Sequence, residues 1–217
     1  MKWQAVMFDL DGTLLDSIED IGNSMNSVLQ RFGLKGHDTE TYKYFIGDGI
    51  ETLVLRSIPE ERRDDSSFFS KCLSSMRAEY GRRWKEKTHP YDGIPELLDI
   101  LKLLKVKMTI LSNKPDDTTQ IAVAELLPNW TFDAVLGARP LTPKKPDPTG
   151  ALEIAERLHV SPAEFLYLGD TGIDMKTANA AGMYAVGALW GFRKADELLA
   201  AGAKVLIKEP TELTRLF

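Results

Sequence analysis

Two carboxylates stand one residue apart where a short apolar stretch near the start of the chain ends. Asp9 and Asp11 flank Leu10, and Gly12 follows them. The largely apolar stretch 3–8, formed by Trp3 and the residues from Ala5 to Phe8, predicts a buried strand, and the glycine permits a sharp turn after it. In open α/β sheets, ligands bind at this end of the strands. Two acids facing one point repel each other unless a cation lies between them, so the motif predicts a Mg²⁺ site. Taken alone, it could also be a loop that merely begins with acidic residues.

Three further polar motifs follow along the chain. Ser112-Asn113 comes after an apolar stretch at 106–111, and Gly169-Asp170 comes after another at 165–168. Between these two motifs, Lys144-Lys145 precedes a Pro-Asp-Pro sequence. Phosphoryl transfer requires a nucleophile, neutralisation of phosphate charge and management of protons. The residue types in these motifs could supply all three.

The chemistry divides naturally among the side chains. Asp9 could attack phosphorus and form an aspartyl phosphate, while Asp11 could protonate the leaving oxygen and later deprotonate water. Ser112 and a lysine could hold the phosphate oxygens. Asp170, with Asp174 one helical turn further on, could carry Mg²⁺ together with Asp9.

The apolar periodicity places the motifs on two kinds of structure. Residues 16–87 show helical spacing and no convincing strand, which predicts an all-helical insert. Ser17 with Asp20 resembles a capping box at the start of its first helix. In the remainder, strands alternate with helices, which predicts a doubly wound parallel α/β sheet. We therefore expect an α/β core formed by residues 1–15 and 88–217 and a helical domain formed by residues 16–87.

The composition is that of an ordinary globular protein. Of the 217 residues, 27% are charged and 43% hydrophobic. The net charge of -5 argues against nucleic acid as the main partner. Cys72 stands alone, which favours a reducing compartment, and we find no signal-peptide pattern or apolar run of membrane-spanning length. We expect a cytoplasmic monomer or homodimer that binds a small phosphorylated metabolite and neither a membrane nor nucleic acid.

The four motifs, in this order, resemble the haloacid dehalogenase superfamily. The pattern is Asp-x-Asp-Gly-Thr, Ser-Asn after a strand, Lys-Pro-x-Pro, and Gly-Asp-x-x-x-Asp. Dehalogenases proper lack the second aspartate, so Asp11 indicates the phosphatases and phosphomutases. Within the superfamily the chain is most similar to bacterial phosphoglycolate phosphatases. That similarity rests on Gly47-Asp48-Gly49, Tyr91-Asp92-Gly93-Ile94, Ser112-Asn113-Lys114-Pro115, Ala181-Gly182-Met183 and Trp190-Gly191.

The resemblance implies a role for each matching residue. The helical domain corresponds to the mobile cap of the family. Asp9 is the nucleophile, and Asp11 is the acid/base that also lends a backbone carbonyl to Mg²⁺. Lys145 neutralises the phosphate and Asp9, with the adjacent Lys144 as the alternative. We expect the metal at Asp9, Asp11, Asp170 and, behind the direct ligands, Asp174; phosphate at Ser112, Asn113 and Gly12; and substrate selection in the cap at Gly47, Asp48 and Gly49.

The resulting hypothesis is a Mg²⁺-dependent phosphatase that hydrolyses a small phosphomonoester, with 2-phosphoglycolate as the first candidate. An inorganic pyrophosphatase or a β-phosphoglucomutase of the same superfamily would share the core residues, and the cap would distinguish them. A receiver-like phospho-aspartate module is a non-enzymatic alternative, because it also uses a strand-end aspartate, Mg²⁺, a hydroxyl and a lysine. Such modules are shorter and lack both the helical insert and Gly-Asp-x-x-x-Asp.

Overall fold

The computed structural model describes residues 3–217 and divides into two compact units. One unit contains the described residues up to Leu15 together with Pro90–Phe217, and the other is Asp16–His89. The predicted helical domain ends at residue 87, whereas the second unit ends at His89.

The elements follow one another in a simple order. They are β1 (Ala5–Phe8), β2 (Leu15–Asp16), α1 (Ile18–Arg31), α2 (Thr39–Phe45), α3 (Ile50–Ser57), α4 (Ser66–Arg83), β3 (His89–Pro90), α5 (Ile94–Leu103), β4 (Lys107–Pro115), α6 (Asp116–Leu126), β5 (Ala134–Ala138), α7 (Thr149–Leu158), β6 (Phe165–Gly169), α8 (Gly172–Ala180), β7 (Tyr184–Ala188), α9 (Ala195–Ala200) and β8 (Val205–Ile207). Short 3-10 helices lie at Glu60–Arg62, Pro162–Glu164 and Pro210–Leu216.

The first unit is organised around β1, which lies inside a six-stranded parallel sheet of order β5-β4-β1-β6-β7-β8. Phe8 at the end of β1 pairs with Ile110 of β4 and Leu168 of β6. The chain adds β4 and β5 on one side of β1 and then returns to add β6, β7 and β8 on the other. This is a doubly wound sheet, as predicted, and its reversal point beside β1 is where such folds bind ligands.

The central strands are continuous apolar runs because both faces of the sheet are covered. All four residues of β1 and the first four of β6 are fully buried. Met7 and Tyr167 share a core cluster with Ile154 of α7 and Met175 of α8. This packing fixes the strand ends, so the polar residues that follow them start from defined positions.

The fourth strand extends past its predicted end. We expected it to stop at Leu111, but pairing with β5 continues to Pro115, with a register shift between those two residues. Ser112, Asn113 and Lys114 therefore lie in an irregular strand segment. Such irregularities redirect side chains and recur beside active sites.

The second unit contains α1 to α4 and is predominantly helical. The predicted capping box at the start of α1 is wrong. Ser17 makes no capping bond with its side chain. The Asp20 carboxylate instead accepts hydrogen bonds from the backbone N–H groups of Lys87 and Thr88 and from the Thr88 hydroxyl. Asp20, which the local pattern assigned to the end of α1, therefore serves a tertiary contact instead.

Helices within residues 3–217 do not combine the length and apolarity needed to cross a membrane.

Candidate active site

Asp9 is the first residue after β1 and continues the sheet's hydrogen bonding. Its N–H donates to the Leu168 carbonyl at 3.0 Å. The carboxylate is only 7% exposed, and Lys145 Nζ donates to its Oδ1 at 2.8 Å. The backbone therefore holds a buried, lysine-paired carboxylate at the carboxyl end of the central strand.

Gly12 lies in the turn after β1 and leaves room for Asp170, which follows β6. Its φ is +90°, and a Cβ on this residue would lie 2.4 Å from Asp170 Oδ2. The residue thus lets Asp170 approach the turn closely. We predicted that Gly12 binds phosphate, but its N–H donates to the Leu15 carbonyl at 2.8 Å. Its visible contribution is the space that it leaves for the Asp170 carboxylate.

Three carboxylates converge at this point. Asp9, Asp170 and Asp174 are buried, and each offers an oxygen within 4.8 Å of the others. Asp170 is oriented by two hydrogen bonds, one from the Thr13 hydroxyl at 2.9 Å and one from the Phe192 N–H at 2.8 Å. The strand ends of β1 and β6 therefore present a set of hard oxygen donors, the type that Mg²⁺ prefers.

Asp174 is held from two sides. Thr171 and Asp174 form a reciprocal capping box at the start of α8, in which Asp174 Oδ2 accepts from the Thr171 N–H at 3.1 Å. The same oxygen also accepts from the Thr171 hydroxyl at 2.6 Å. Asp174 Oδ1 accepts from Lys145 Nζ at 2.6 Å. Both oxygens are thus engaged within the protein, which favours the predicted position behind the direct metal ligands.

The buried cluster carries more negative than positive charge. Burial and the neighbouring Asp174 hold the pKa of Asp9 well above its usual range, although Lys145 opposes the shift. Burial and Asp174 likewise raise the pKa of Asp170 to about 7. Burial alone would lower the pKa of Lys145, but Asp174 and Asp9 raise it well above its usual value. A cationic Lys145 facing three carboxylates leaves an excess of negative charge that a divalent cation would neutralise.

The irregular part of β4 fixes the loop that carries Lys145. Asn113 Nδ2 donates to the Lys145 carbonyl at 3.0 Å, and the Lys145 N–H donates to Asn113 Oδ1 at 2.9 Å. Asn113 was predicted to contact phosphate, yet these bonds direct its amide to the main chain of Lys145.

Ser112 lines the same pocket as Asn113 and Lys145. Its Oγ accepts from the Lys114 N–H at 3.2 Å, which leaves the hydroxyl hydrogen to donate to a phosphate oxygen.

The two adjacent lysines differ in placement. Lys145 is buried, with 6% exposure, and reaches Asp9 and Asp174, whereas Lys144 is exposed. This geometry favours Lys145, the residue that we preferred from the sequence.

Asp11 is paired with a lysine that the sequence reasoning did not select. Lys114 Nζ lies 3.0 Å from Oδ1 and 3.1 Å from Oδ2 of Asp11. The available signal was a lysine two residues after Ser112. The supporting bonds of Thr13 and the Phe192 N–H to Asp170 were also missed, because they join segments that are distant in sequence. The bonds between Thr171 and Asp174 were missed too, although a threonine three residues before an acid is a local capping signal.

The predicted selectivity residues lie in the second unit. Gly47 and Gly49 have φ values of +123° and +92°, and Gly49 precedes the first residue of α3. Asp48 pairs with Arg56 at 2.6 Å. The two glycines supply a backbone conformation that other residues rarely adopt.

Comparison with known proteins decides the family. Residues 6–188 match the model of the haloacid dehalogenase-like hydrolases. The chain belongs to this family. A phosphoglycolate phosphatase from Chromobacterium violaceum is 31% identical, over 97% of this chain and 94% of its own length. One from Neisseria gonorrhoeae is 34% identical, over 87% and 81%. A crystal structure from Lactobacillus delbrueckii subsp. bulgaricus, provisionally named a phosphoglycolate phosphatase, superposes with a TM-score of 0.92 at 28% identity, over 100% and 98% of the two chains.

These matches confirm the resemblance found in the motifs and the predicted fold class. This haloacid dehalogenase-like hydrolase is a phosphoric monoester hydrolase, similar over nearly its whole length to phosphoglycolate phosphatases.

Proposed function

We propose that this hydrolase cleaves a small phosphomonoester, 2-phosphoglycolate, with Mg²⁺, and carries the phosphoryl group transiently on Asp9. One observation carries the mechanism. The Asp9 carboxylate is buried beside Asp170, Asp174 and Lys145, while Asp11, two residues away, has a separate lysine partner. A nucleophile and an acid/base in distinct electrostatic surroundings can perform distinct steps. The substrate is inferred from the names of the relatives.

In the first half-reaction, an Asp9 oxygen attacks phosphorus and the bond to the ester oxygen breaks. Asp11 donates its proton to that leaving oxygen, so an alcohol departs rather than an alkoxide. Ser112 and Lys145 hold the phosphoryl oxygens. Asn113 supports them by fixing the main chain of Lys145.

In the second half-reaction, Asp11 accepts a proton from water as the water oxygen attacks phosphorus. The bond between phosphorus and Asp9 breaks, and inorganic phosphate leaves. Asp9 returns to its carboxylate form and Asp11 to its protonated form, so the cycle balances.

Asp9, Asp170 and the backbone carbonyl of Asp11 would hold Mg²⁺, with Asp174 orienting Lys145 behind them. When bound, Mg²⁺ neutralises the charge of the phosphate and of the carboxylates, so that the two can approach. The oxygen donors of the cluster and its excess negative charge support this assignment.

We also propose that Asp16–His89 is the cap domain of the enzyme and that Gly47, Asp48 and Gly49 select the substrate. The two positive φ values and the Asp48–Arg56 pair support a segment with a defined shape. Asp48→Ala should therefore change the ratio of activities on different substrates more than it changes turnover of p-nitrophenyl phosphate. Equal loss on every substrate would show that the segment serves folding alone.

A substrate panel tests the function directly. Steady turnover of 2-phosphoglycolate, with little activity on pyrophosphate and no isomerisation of glucose phosphates, is the expected result. Asp9→Asn is the matched inactive control. Preferred hydrolysis of pyrophosphate, or mutase activity, would replace the proposed substrate with one of the family alternatives. A single modification without turnover would indicate a receiver-like module.

A further inference from the structure

Lys114 occupies a position between two parts of the proposed chemistry. Its N–H donates to Ser112 Oγ at 3.2 Å, and its ammonium contacts both oxygens of Asp11. The side chain of Lys114 is 5% exposed and that of Asp11 is 14% exposed. A largely desolvated cation therefore lies beside the residue that meets the leaving oxygen, on an irregular strand segment that also presents Ser112.

The two buried lysines among residues 3–217 contact different carboxylates of the site. Lys145 is bound to Asp9 and Asp174, the side on which phosphorus is attacked. Lys114 is bound to Asp11, the side from which the alcohol departs. The proposed mechanism gives Lys145 a task but gives Lys114 none. A buried charge with no task in the chemistry is costly to retain, even when it is paired.

The leaving alcohol supplies a task for it. In a phosphate ester of an α-hydroxy acid, the carboxylate is separated from the ester oxygen by a single carbon. When that oxygen contacts the protonated Asp11, the carboxylate lies near the Asp11 side chain. Once Asp11 has given up its proton, the two carboxylates repel each other unless a cation is close. The ammonium of Lys114 is the cation that this structure places against Asp11.

We infer that Lys114 is a specificity-determining residue, whose ammonium binds a carboxylate carried by the leaving alcohol next to the ester oxygen. The inference rests on the proposed function and deepens it, because it assigns the substrate class to phosphate esters of short α-hydroxy acids. An ester of a neutral alcohol has no carboxylate for Lys114 to bind.

The test compares acidic esters with neutral counterparts of similar size. The first pair is 2-phosphoglycolate and 2-hydroxyethyl phosphate; the second is 2-phospholactate and the 2-phosphate of propane-1,2-diol. In the wild-type enzyme, kcat/KM should favour the acidic member of each pair. In Lys114→Met, kcat/KM for the acidic esters should fall by about 10- to 100-fold, mainly through a higher KM. A loss of this size corresponds to one charge-assisted hydrogen bond. The neutral esters should lose less, so that the ratio of kcat/KM between the acidic and the neutral member of each pair falls by about tenfold or more.

Two further variants sharpen the comparison. Lys114→Arg keeps the charge and should restore part of the preference for acidic esters. Lys107 lies at the opposite end of β4, where its Nζ donates to the Leu158 carbonyl. Lys107→Met should therefore leave the preference for acidic esters unchanged. Equal loss on acidic and neutral esters in Lys114→Met would overturn the inference, because it would show that Lys114 only orients Asp11.

The wild-type enzyme supplies a test that does not depend on folding of a variant. Glycolate should compete with p-nitrophenyl phosphate at concentrations at which ethylene glycol does not. Equal inhibition by both compounds, or no preference for acidic esters, would overturn the inference. A preference for 2-phospholactate over 2-phosphoglycolate would instead contradict the proposed substrate and leave the role of Lys114 standing.

Discussion

At the scale of single residues, Gly12 shows how one missing Cβ shapes the proposed metal site. Gly12→Ala would place a methyl group 2.4 Å from Asp170 Oδ2, so the carboxylate must move. We expect Mg²⁺ affinity, measured by titration, to fall at least tenfold. Gly182→Ala is the matched control, because Gly182 also has a positive φ, of +74°, but a Cβ there meets nothing within 4 Å. Both variants should lose about 1 kcal/mol of stability from backbone strain. Equal metal affinity in the two would contradict the steric argument.

Candidate site residues could be predicted when they belong to a local sequence motif and not when they act through contacts that are distant in sequence. Asp9, Asp170 and Lys145 follow strands or precede a proline-rich turn, so their motifs could select them, and the structure places all three in one buried cluster. Lys114 and Phe192 were not selected, because Lys114 forms a salt bridge to another strand end and Phe192 contributes its backbone N–H, and neither contact is visible in the local sequence. Asn113 was selected for phosphate, but its amide bonds the main chain of Lys145.

At the scale of elements, the strands were predictable because burial on both faces makes them continuous apolar runs. The end of β4 was not, since its extension from Leu111 to Pro115 depends on pairing with β5 across a register shift. The prediction for the start of α1 was wrong for a related reason. A capping box is a local pattern, and the 87–88 segment, distant in sequence, competes for the same Asp20 carboxylate.

The Asp20 contact leads to a stability prediction for the second unit. Asp20 is 2% exposed and accepts three hydrogen bonds from Lys87 and Thr88, so Asp20→Ala leaves buried donors without an acceptor. We expect a loss of about 3 kcal/mol in the free energy of unfolding, measured by urea denaturation. Glu19→Ala, which removes only an exposed pair with Lys87, should cost less than about 1 kcal/mol. Similar losses in both variants would refute the role of the buried acceptor.

At the scale of the whole molecule, the excess negative charge of the carboxylate cluster should couple metal binding to stability. Ligands that bind only the folded state raise its stability by mass action. We expect EDTA to abolish activity and to lower the Tm, and Mg²⁺ to restore both.

Asp170→Asn separates the effect of the cluster's charge on stability from the effect of Mg²⁺ binding. The amide can still accept a hydrogen bond from the Phe192 N–H, but it removes one charge from the cluster. The metal-free variant should be at least as stable as the metal-free wild type, whereas the rise in Tm with Mg²⁺ should disappear. Activity that survives EDTA, or an unchanged Mg²⁺ response in Asp170→Asn, would contradict the assignment of the metal site.

The central claim, that Asp9 carries the phosphoryl group while Asp11 manages protons, is tested most directly by trapping the intermediate in Asp11→Asn with p-nitrophenyl phosphate. Nitrophenolate is a stable leaving group, so phosphorylation should need little acid assistance, whereas hydrolysis of the intermediate should slow by ~10²–10⁴-fold without the base. The account predicts a burst of about one equivalent of nitrophenolate per enzyme. Mass spectrometry of the acid-quenched protein should place one phosphoryl group on Asp9, and Asp9→Asn should show neither the burst nor the modification. Steady turnover by Asp11→Asn at the wild-type rate, or a phosphoryl group on any other residue, would contradict it.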